Sequence, residues 1–233
     1  MLFGWDEQTI RWFLDASAYT GFHKTLARKI APYLKPDDTL CDLGCGLGRL
    51  DLELAPYVSR LTAVDINETA IELLRRDIGI SGRHNMSAEC ADAGALRGNF
   101  DVLLTSFFGE ANTSDFLKLC TRKLIRVVHM DNKGRLYPGQ PRYAKKDTVE
   151  TVRLELIGMG ADFKLETASV EFGQPLGSWG DAVLFVRNNA PDAGDDEIER
   201  FLRENTERTD REDFPFYLPN PKEFGIFVIE KEA

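Results

Sequence analysis

The feature that most constrains this chain is a glycine-rich segment that directly follows a short apolar strand. Residues 38–41 have the character of a β-strand and run into Asp42-Leu43-Gly44-Cys45-Gly46-Leu47-Gly48. Glycine lets the backbone turn tightly and approach a ligand closely, because it lacks a side chain and tolerates positive φ. The segment therefore predicts a ligand-binding turn between a strand and a helix.

The spacing of the glycines separates two ligand classes. A dinucleotide-binding turn carries its third glycine three residues after the second, but Arg49 stands there and the third glycine is Gly48. Asp42 precedes the first glycine, and its carboxylate would repel a pyrophosphate but suits a ligand with an ammonium group. The pattern resembles the first motif of the class I S-adenosylmethionine-dependent methyltransferases, acid-x-Gly-x-Gly-x-Gly.

Later landmarks extend this resemblance along the chain. A strand over residues 61–64 ends at Asp65, roughly 20 residues beyond Asp42, where a ribose-binding carboxylate belongs. Asn67 is the predicted N-cap of the next helix. Further strands are predicted over residues 86–90, 100–105, 124–128, 163–172 and 224–229.

The resemblance implies an α/β fold with a doubly wound, mostly parallel seven-stranded sheet. An N-terminal helical segment would precede this Rossmann-like sheet, and a helical cap would be inserted between strands six and seven. We expect a single domain over residues 1–233, with a helical cover at 1–35 and the insertion at 173–223.

The resemblance also implies S-adenosylmethionine as the cofactor. The methionine moiety would meet Asp42 and the glycine backbone, the ribose hydroxyls would meet Asp65, and the adenine amino group would meet Asp92. The predicted cofactor-binding residues are Asp42, Gly44, Cys45, Gly46, Gly48, Asp65, Ile66, Asp92, Ala93, Thr105 and Tyr19.

Two segments depart from a minimal domain of this family. Residues 6–33 predict one or two amphipathic helices, with Ile10, Phe13 and Leu14 as one apolar stripe and Phe22, Leu26, Ile30 and Tyr33 as another. Tyr19 and His23 lie one turn apart, so they would share a face and either meet a ligand or cover the sheet. The insertion predicts a helix after Ser178 and a second helix over residues 195–206, which would form a substrate cap or a dimerisation arm.

The charge and composition of the chain limit the kinds of partner that we expect it to bind. The formal net charge of −9 argues against binding to a nucleic-acid backbone. No apolar run approaches the roughly 20 residues that span a bilayer, and the N-terminus has no export-signal pattern. We therefore expect a cytoplasmic protein that uses no nucleic acid, membrane or metal ion, with a homodimer left open.

Catalytic candidates follow the strands at the edge where ligands gather. His129 is the predicted general base because its ordinary pKa lies near neutrality, although a packing role stays open. Glu110 and Asp131 are weaker candidates, and the basic loop over residues 133–146 would suit an anionic substrate or simply be solvated.

The favoured function is a small-molecule methyltransferase that works by in-line methyl transfer. The alternatives are a non-catalytic S-adenosylmethionine-binding subunit or regulator and a nicotinamide-dependent oxidoreductase. Arg49, which takes the place of the dinucleotide glycine, weighs against the oxidoreductase.

Overall fold

The computed structural model describes residues 4–108, 112–131, 136–138 and 147–231. Glu110 and almost all of the basic loop at 133–146 lie outside the described residues, so the predictions made for them stay predictions. Seven strands form the main sheet. They are β1 Thr39–Leu43, β2 Arg60–Asp65, β3 Met86–Cys90, β4 Phe100–Ser106, β5 Cys120–His129, β6 Phe163–Glu171 and β10 Pro221–Glu230.

The sheet confirms the predicted doubly wound architecture. Its strand order is β3-β2-β1-β4-β5-β10-β6. The first five strands pair in parallel, and β10 pairs antiparallel with β5, so that Phe224 faces His129 across the ladder. The order reverses at β1, which brings the carboxyl ends of β1, β2 and β4 to one edge, where ligands bind in sheets of this kind.

The helices of the structure confirm the predicted N-cap at Asn67. The Asn67 side chain accepts a hydrogen bond from the amide of Ala70 and so caps the next helix as predicted. The described helices are α1 Glu7–Thr20, α2 Phe22–Ile30, α3 Arg49–Leu54, α4 Glu68–Ser81, α5 Thr113–Leu117, α6 Val149–Gly158, α7 Trp179–Asn189 and α8 Asp195–Asn205. Among these helices none is long and apolar enough to cross a membrane.

Two helix predictions were wrong in detail. The apolar spacing of Leu50, Leu54 and Val58 predicts a helix over residues 50–58 after the glycine turn, but this helix ends at Leu54, because Pro56 enters a short 3-10 turn over Ala55–Tyr57. Tyr19 and His23 do not share a helix face. Gly21 takes a left-handed conformation with φ of 63° and ends α1 between them.

The chain divides into two compact units. The sheet unit comprises residues 23–130, 146–168 and 224–233, and the appended unit comprises residues 1–22, 131–145 and 169–223. The core of the sheet unit is built largely from strand residues such as Leu43, Leu103 and Leu124, each without solvent exposure. Trp12 and Phe185 lie in the separate core of the appended unit.

The appended unit contains the predicted helices α7 and α8 and a small sheet that periodicity did not reveal. Helix α7 begins after Ser178 as predicted, and the Ser178 side chain caps it by accepting the Asp181 amide. Strands of two or three residues are too short for an alternation signal. They are β7 Gln174–Leu176, β8 Glu207–Arg208 and β9 Phe216–Leu218, in the order β7-β9-β8.

Helix α1 also packs within the appended unit, through a face other than the predicted stripe. Its buried residues are Trp12 and Ala16. The Asp181 carboxylate at the start of α7 accepts hydrogen bonds from Arg11 at 2.5 Å and from the Trp12 indole at 3.0 Å. That residues 1–35 and 173–223 act as a cover and a cap stays a prediction.

Candidate cofactor site

The glycine segment forms a tight turn at the carboxyl end of β1. Gly44, Gly46 and Gly48 all have positive φ, at 77°, 54° and 64°. The amides of Gly44 and Cys45 both donate to the Val64 carbonyl, at 2.8 and 3.1 Å, so the turn is held against β2. Only glycine takes three such conformations at little cost.

Close packing around the turn excludes side chains at two of these glycines. A Cβ on Gly44 would lie 2.2 Å from the Phe108 ring, and one on Gly48 would lie 2.3 Å from Leu74. The turn is thus fixed in shape by neighbours from the segment after β4 and from α4 as well as by its own backbone. The Cys45 thiol donates to the Gly46 carbonyl at 3.7 Å.

Asp65 ends β2 and connects the turn to the start of α4. Its Oδ2 accepts the Gly46 amide at 2.8 Å, and its Oδ1 accepts the Asn67 amide at 2.9 Å. A carboxylate oxygen can accept about two hydrogen bonds. Each oxygen of Asp65 therefore keeps acceptor capacity beyond its backbone partner.

Asp42 is buried beside a second carboxyl group that the sequence reasoning missed. Asp42 is 1% exposed and Asp51, on α3, is 0% exposed. Asp42 Oδ1 and both oxygens of Asp51 accept no hydrogen bond from an N–H or O–H donor of the described residues. Burial, with the adjacent Asp51 charge as the next cause, raises the pKa of Asp42 well above its usual value. Burial also raises the pKa of Asp51, to about 7.

The predicted adenine-side residues lie after β2 and β3. Ile66 is 46% exposed, as are several other large apolar side chains of the sheet unit. The exposed Cys90 thiol donates to the Ile66 carbonyl at 3.6 Å. Asp92 is exposed, and its Oδ1 accepts the Gly94 amide at 2.7 Å, while Ala93 packs on the main core.

Thr105 and His129 lie near the carboxyl ends of β4 and β5. Thr105 is buried, in register with Leu43 of β1 and Arg126 of β5. The His129 ring is 4.7 Å from the Phe107 ring, centroid to centroid. Phe107 has φ of 54°, a strained conformation for a bulky residue that is common at functional sites.

Tyr19 belongs to the appended unit, unlike the other predicted cofactor residues. Its ring stacks on Tyr217, with centroids 4.9 Å apart, and the Arg211 guanidinium lies 5.3 Å from its centre. The predicted contact of Tyr19 with the cofactor stays a prediction.

Comparison with known proteins gives the family. A sequence profile described as "Methyltransferase domain" matches residues 40–130, the stretch from β1 to the end of β5. Over this stretch, and in its strand order, the chain is similar to the class I methyltransferases. The cofactor of that family is S-adenosylmethionine, in agreement with the prediction from the glycine turn.

The individual relatives are distant from this chain. The ribosomal protein L11 methyltransferase of Thermotoga maritima is 27% identical over 117 residues, which cover 48% of this chain and 42% of that protein. The chain thus matches less than half the length of this curated relative. A crystal structure of magnesium protoporphyrin IX methyltransferase from Synechocystis, with bound S-adenosylhomocysteine, covers 99% of this chain and 90% of its own, at 14% identity and a TM-score of 0.56.

A third likeness is to a S-adenosylmethionine-dependent methyltransferase from Aquifex aeolicus. It aligns over 97% of this chain and 99% of its own, with 13% identity and a TM-score of 0.58. At such identities these two structures support the fold of this chain alone.

The residues of this site fit S-adenosylmethionine. Asp42 offers a buried carboxyl oxygen with no donor to satisfy it, as an ammonium group requires. Asp65 keeps acceptor capacity for two hydroxyls, and the positive-φ glycines leave backbone open to close approach. When bound, the cofactor supplies a methyl group on a positively charged sulfur.

Two features of this site had little or no sequence signal. Asp51 lies in a helix of six residues, in which Leu50, Leu52 and Leu54 are buried as well. Because this helix is buried almost all round, no apolar stripe distinguishes the inward-facing acid. The closeness of the Phe108 ring to Gly44 had no sequence signal either, because it depends on how the segment after β4 packs against the turn after β1.

Proposed function

We propose that this chain is a methyltransferase that transfers the methyl group of S-adenosylmethionine to a small-molecule acceptor. The observation that carries the proposal is the hydrogen bond from the Gly46 amide to Asp65. It ties the glycine turn to the acid of β2, next to the buried Asp42, in the arrangement that the cofactor requires. Support also comes from the family match over residues 40–130.

The proposed roles of the cofactor-binding residues follow from their placement. Asp42 accepts hydrogen bonds from the ammonium group, and Asp65 accepts them from the ribose hydroxyls. Asp92 accepts from the adenine amino group, and Ile66 provides exposed apolar surface at the same end of the sheet. Transfer to an acceptor then depends mainly on alignment in a pocket with little water.

We assign His129 as the general base when the acceptor is a hydroxyl or another group that must lose a proton. Neutral imidazole can accept such a proton near neutral pH. His129 lies at the end of β5 beside the strained Phe107, which supports a role at the reacting edge. The expected result of His129→Gln is a large fall in kcat, about 10²-fold or more, with the cofactor Kd nearly unchanged.

The net charge of −9 supports a small acceptor over a nucleic acid. The segment at the end of β4, Ser106-Phe107-Phe108, also lacks the Asn/Asp-Pro-Pro-aromatic pattern of enzymes that methylate nucleobases or glutamine amides. A protein acceptor is the second candidate, because the relatives matched over part of this chain are named for methylating a ribosomal protein.

The test is calorimetric titration with S-adenosylmethionine and S-adenosylhomocysteine, followed by transfer of a labelled methyl group. Label would be offered to a panel of small hydroxyl, amine, thiol and carboxyl compounds and, separately, to ribosomal protein fractions. We expect micromolar binding and label in a small compound. Label only in protein would overturn the acceptor class, and binding without any transfer would favour a non-catalytic subunit.

A further inference from the structure

Two carboxyl groups are buried at the glycine turn, although recognition of an ammonium group by Asp42 needs only one of them. Asp42 ends β1 with 1% exposure and Asp51 lies on α3 with none. Three of their four carboxyl oxygens are buried without a donor. Two ionised carboxylates in contact and away from water repel each other strongly, whereas a pair that holds one proton can form a hydrogen bond.

Among the residues that the structure describes, the groups that act on the pair provide no compensating positive charge. Besides burial, the pair raises the pKa of two nearby thiols, Cys41 of β1 and Cys45 of the turn. Burial and Asp51 raise the pKa of Asp42 most, and the carboxyl group of Asp65 on β2 raises it further. These neighbours are neutral or acidic. Glu89 of β3 adds a further negative charge near Cys41. On α3 itself, Arg49 is directed to Asp77, with an N–O distance of 2.8 Å.

We propose that Asp51 is a second cofactor-recognition residue, which shares one proton with Asp42 in the free protein, and that the pair releases this proton to solvent when the cofactor's ammonium group binds. This inference rests on the proposed function. The ammonium group supplies the missing positive charge, and an opposite charge at short range favours the ionised form of a carboxyl group. No covalent bond changes, because the proton moves from the carboxyl pair to water or buffer.

The consequence is a link between pH and cofactor affinity. A ligand that binds the ionised pair more tightly than the protonated pair releases a proton, and its affinity rises with pH until the free pair is ionised. The α-amino group of the cofactor itself loses its proton above about pH 7.7. The informative range is therefore about pH 5.5 to about pH 7, in which the ligand keeps its positive charge.

The first experiment measures proton release directly. Wild-type protein is titrated with S-adenosylmethionine at about pH 6 in buffers of different ionisation enthalpy, and the slope of the observed enthalpy gives the number of protons released. We expect nearly one proton, and the same number with S-adenosylhomocysteine, which carries the same ammonium group. Binding without proton release, or release with S-adenosylmethionine alone, would overturn the proposal.

Two variants separate this role from a merely structural one. Asp51→Asn keeps the size of the side chain but removes one of the two acids and its charge next to Asp42, so proton release should fall clearly below the wild-type number and the pH dependence of Kd should weaken. Glu53→Gln is the matched control, because Glu53 lies on the same short helix with its side chain exposed. It should behave as the wild type does. Unchanged proton release in Asp51→Asn would remove Asp51 from the mechanism.

A second measurement uses the free wild-type protein, so it needs no cofactor and does not depend on whether a variant folds. Carbon-13 labelling of aspartate carboxyl groups in the free wild-type protein should reveal a carboxyl that titrates far above the usual aspartate range. If every aspartate titrates normally, the proposal fails whatever the cofactor does. If the raised titration is present but neither nucleoside binds, the proposed function fails while the shared proton remains.

Discussion

The amide of Gly46 donates a 2.8 Å hydrogen bond to Oδ2 of Asp65, which connects the turn after β1 with the last residue of β2. The other oxygen of Asp65 accepts the Asn67 amide that leads into α4. One carboxylate therefore orders both loops at this edge of the sheet. Its proposed role in ribose binding and its structural role are carried by the same two oxygens.

Asp65→Ala removes both loop bonds and the proposed ribose acceptor. We expect cofactor binding to weaken by about 1–3 kcal/mol, the cost of a lost hydrogen bond to a charged group, which is roughly 5- to 150-fold in Kd. Isothermal titration calorimetry measures this change. Glu72→Gln, at an exposed position of α4, is the control and should leave Kd unaltered. Equal Kd values for Asp65→Ala and the wild type would show that the ribose role is misassigned.

Gly48→Ala should destabilise the protein more than Gly82→Ala. The two glycines have nearly the same φ, 64° and 65°, so each alanine meets a similar conformational cost of about 1–2 kcal/mol. A Cβ at Gly48 would additionally lie 2.3 Å from the buried Leu74. A Cβ at Gly82 would have no heavy atom of the described residues beyond its chain neighbours within 4 Å. Overpacking adds about 1–3 kcal/mol. Urea unfolding of both variants measures the difference, and equal losses would contradict the packing argument.

The stability of the free protein should depend on the acid pair in a defined pH range. Burial raises the folded-state pKa of Asp51 to about 7, while an unfolded aspartate titrates near its model value of 3.8. Between these values the folded state binds the proton and the unfolded state does not, so the free energy of unfolding falls as pH rises. The slope for one proton is about 1.4 kcal/mol per pH unit.

Asp51→Asn should flatten this slope. Urea unfolding of wild type and variant at several values between about pH 4 and about pH 8 gives the comparison, with Glu53→Gln as the control. Parallel curves for the wild type and Asp51→Asn would mean that the pair holds no proton in the folded protein.

Iodoacetamide should label Cys90 before the other three cysteines. Cys90 is exposed, whereas Cys41 and Cys120 are buried. Burial raises the pKa of the Cys45 thiol well above its usual value, which lowers the thiolate fraction that reacts. Mass spectrometry of peptides after brief labelling measures the order, and Cys90→Ser should remove the fast site. Equally fast labelling of Cys45 would show that the turn opens readily.

Removal of the buried Arg126 guanidinium and removal of its partner Glu155 should lower the stability of the protein by unequal amounts. It contacts Asp147 at 2.5 Å and Glu155 at 3.1 Å, and it has 1% side-chain exposure against 22% and 30% for the two acids. Glu155→Leu removes one of the charges that compensate a buried cation, which typically costs about 3–5 kcal/mol. Arg126→Leu leaves only the two partly exposed acids, which water can solvate, so thermal unfolding should show a smaller loss.

The sequence by itself determined the elements that local chemistry controls. The glycine spacing at residues 44–48, the acid at Asp65 and the cap at Asn67 indicated the turn, the strand end and the helix start, because each depends on a backbone conformation or a nearby hydrogen bond. The order of strands and helices also followed from apolar patterns of adequate length. These signals were sufficient for the family and its cofactor.

Only the tertiary structure decided which distant groups share a site. The pairing of Asp42 with Asp51, the Phe108 ring on Gly44 and the small sheet of β7, β8 and β9 all depend on packing between segments. The local sequence pattern does not show such contacts. Strands of two or three residues are also too short to show an alternation of apolar and polar side chains. The break at Gly21 likewise separated Tyr19 from His23, because a single left-handed residue ends a helix that spacing alone would continue.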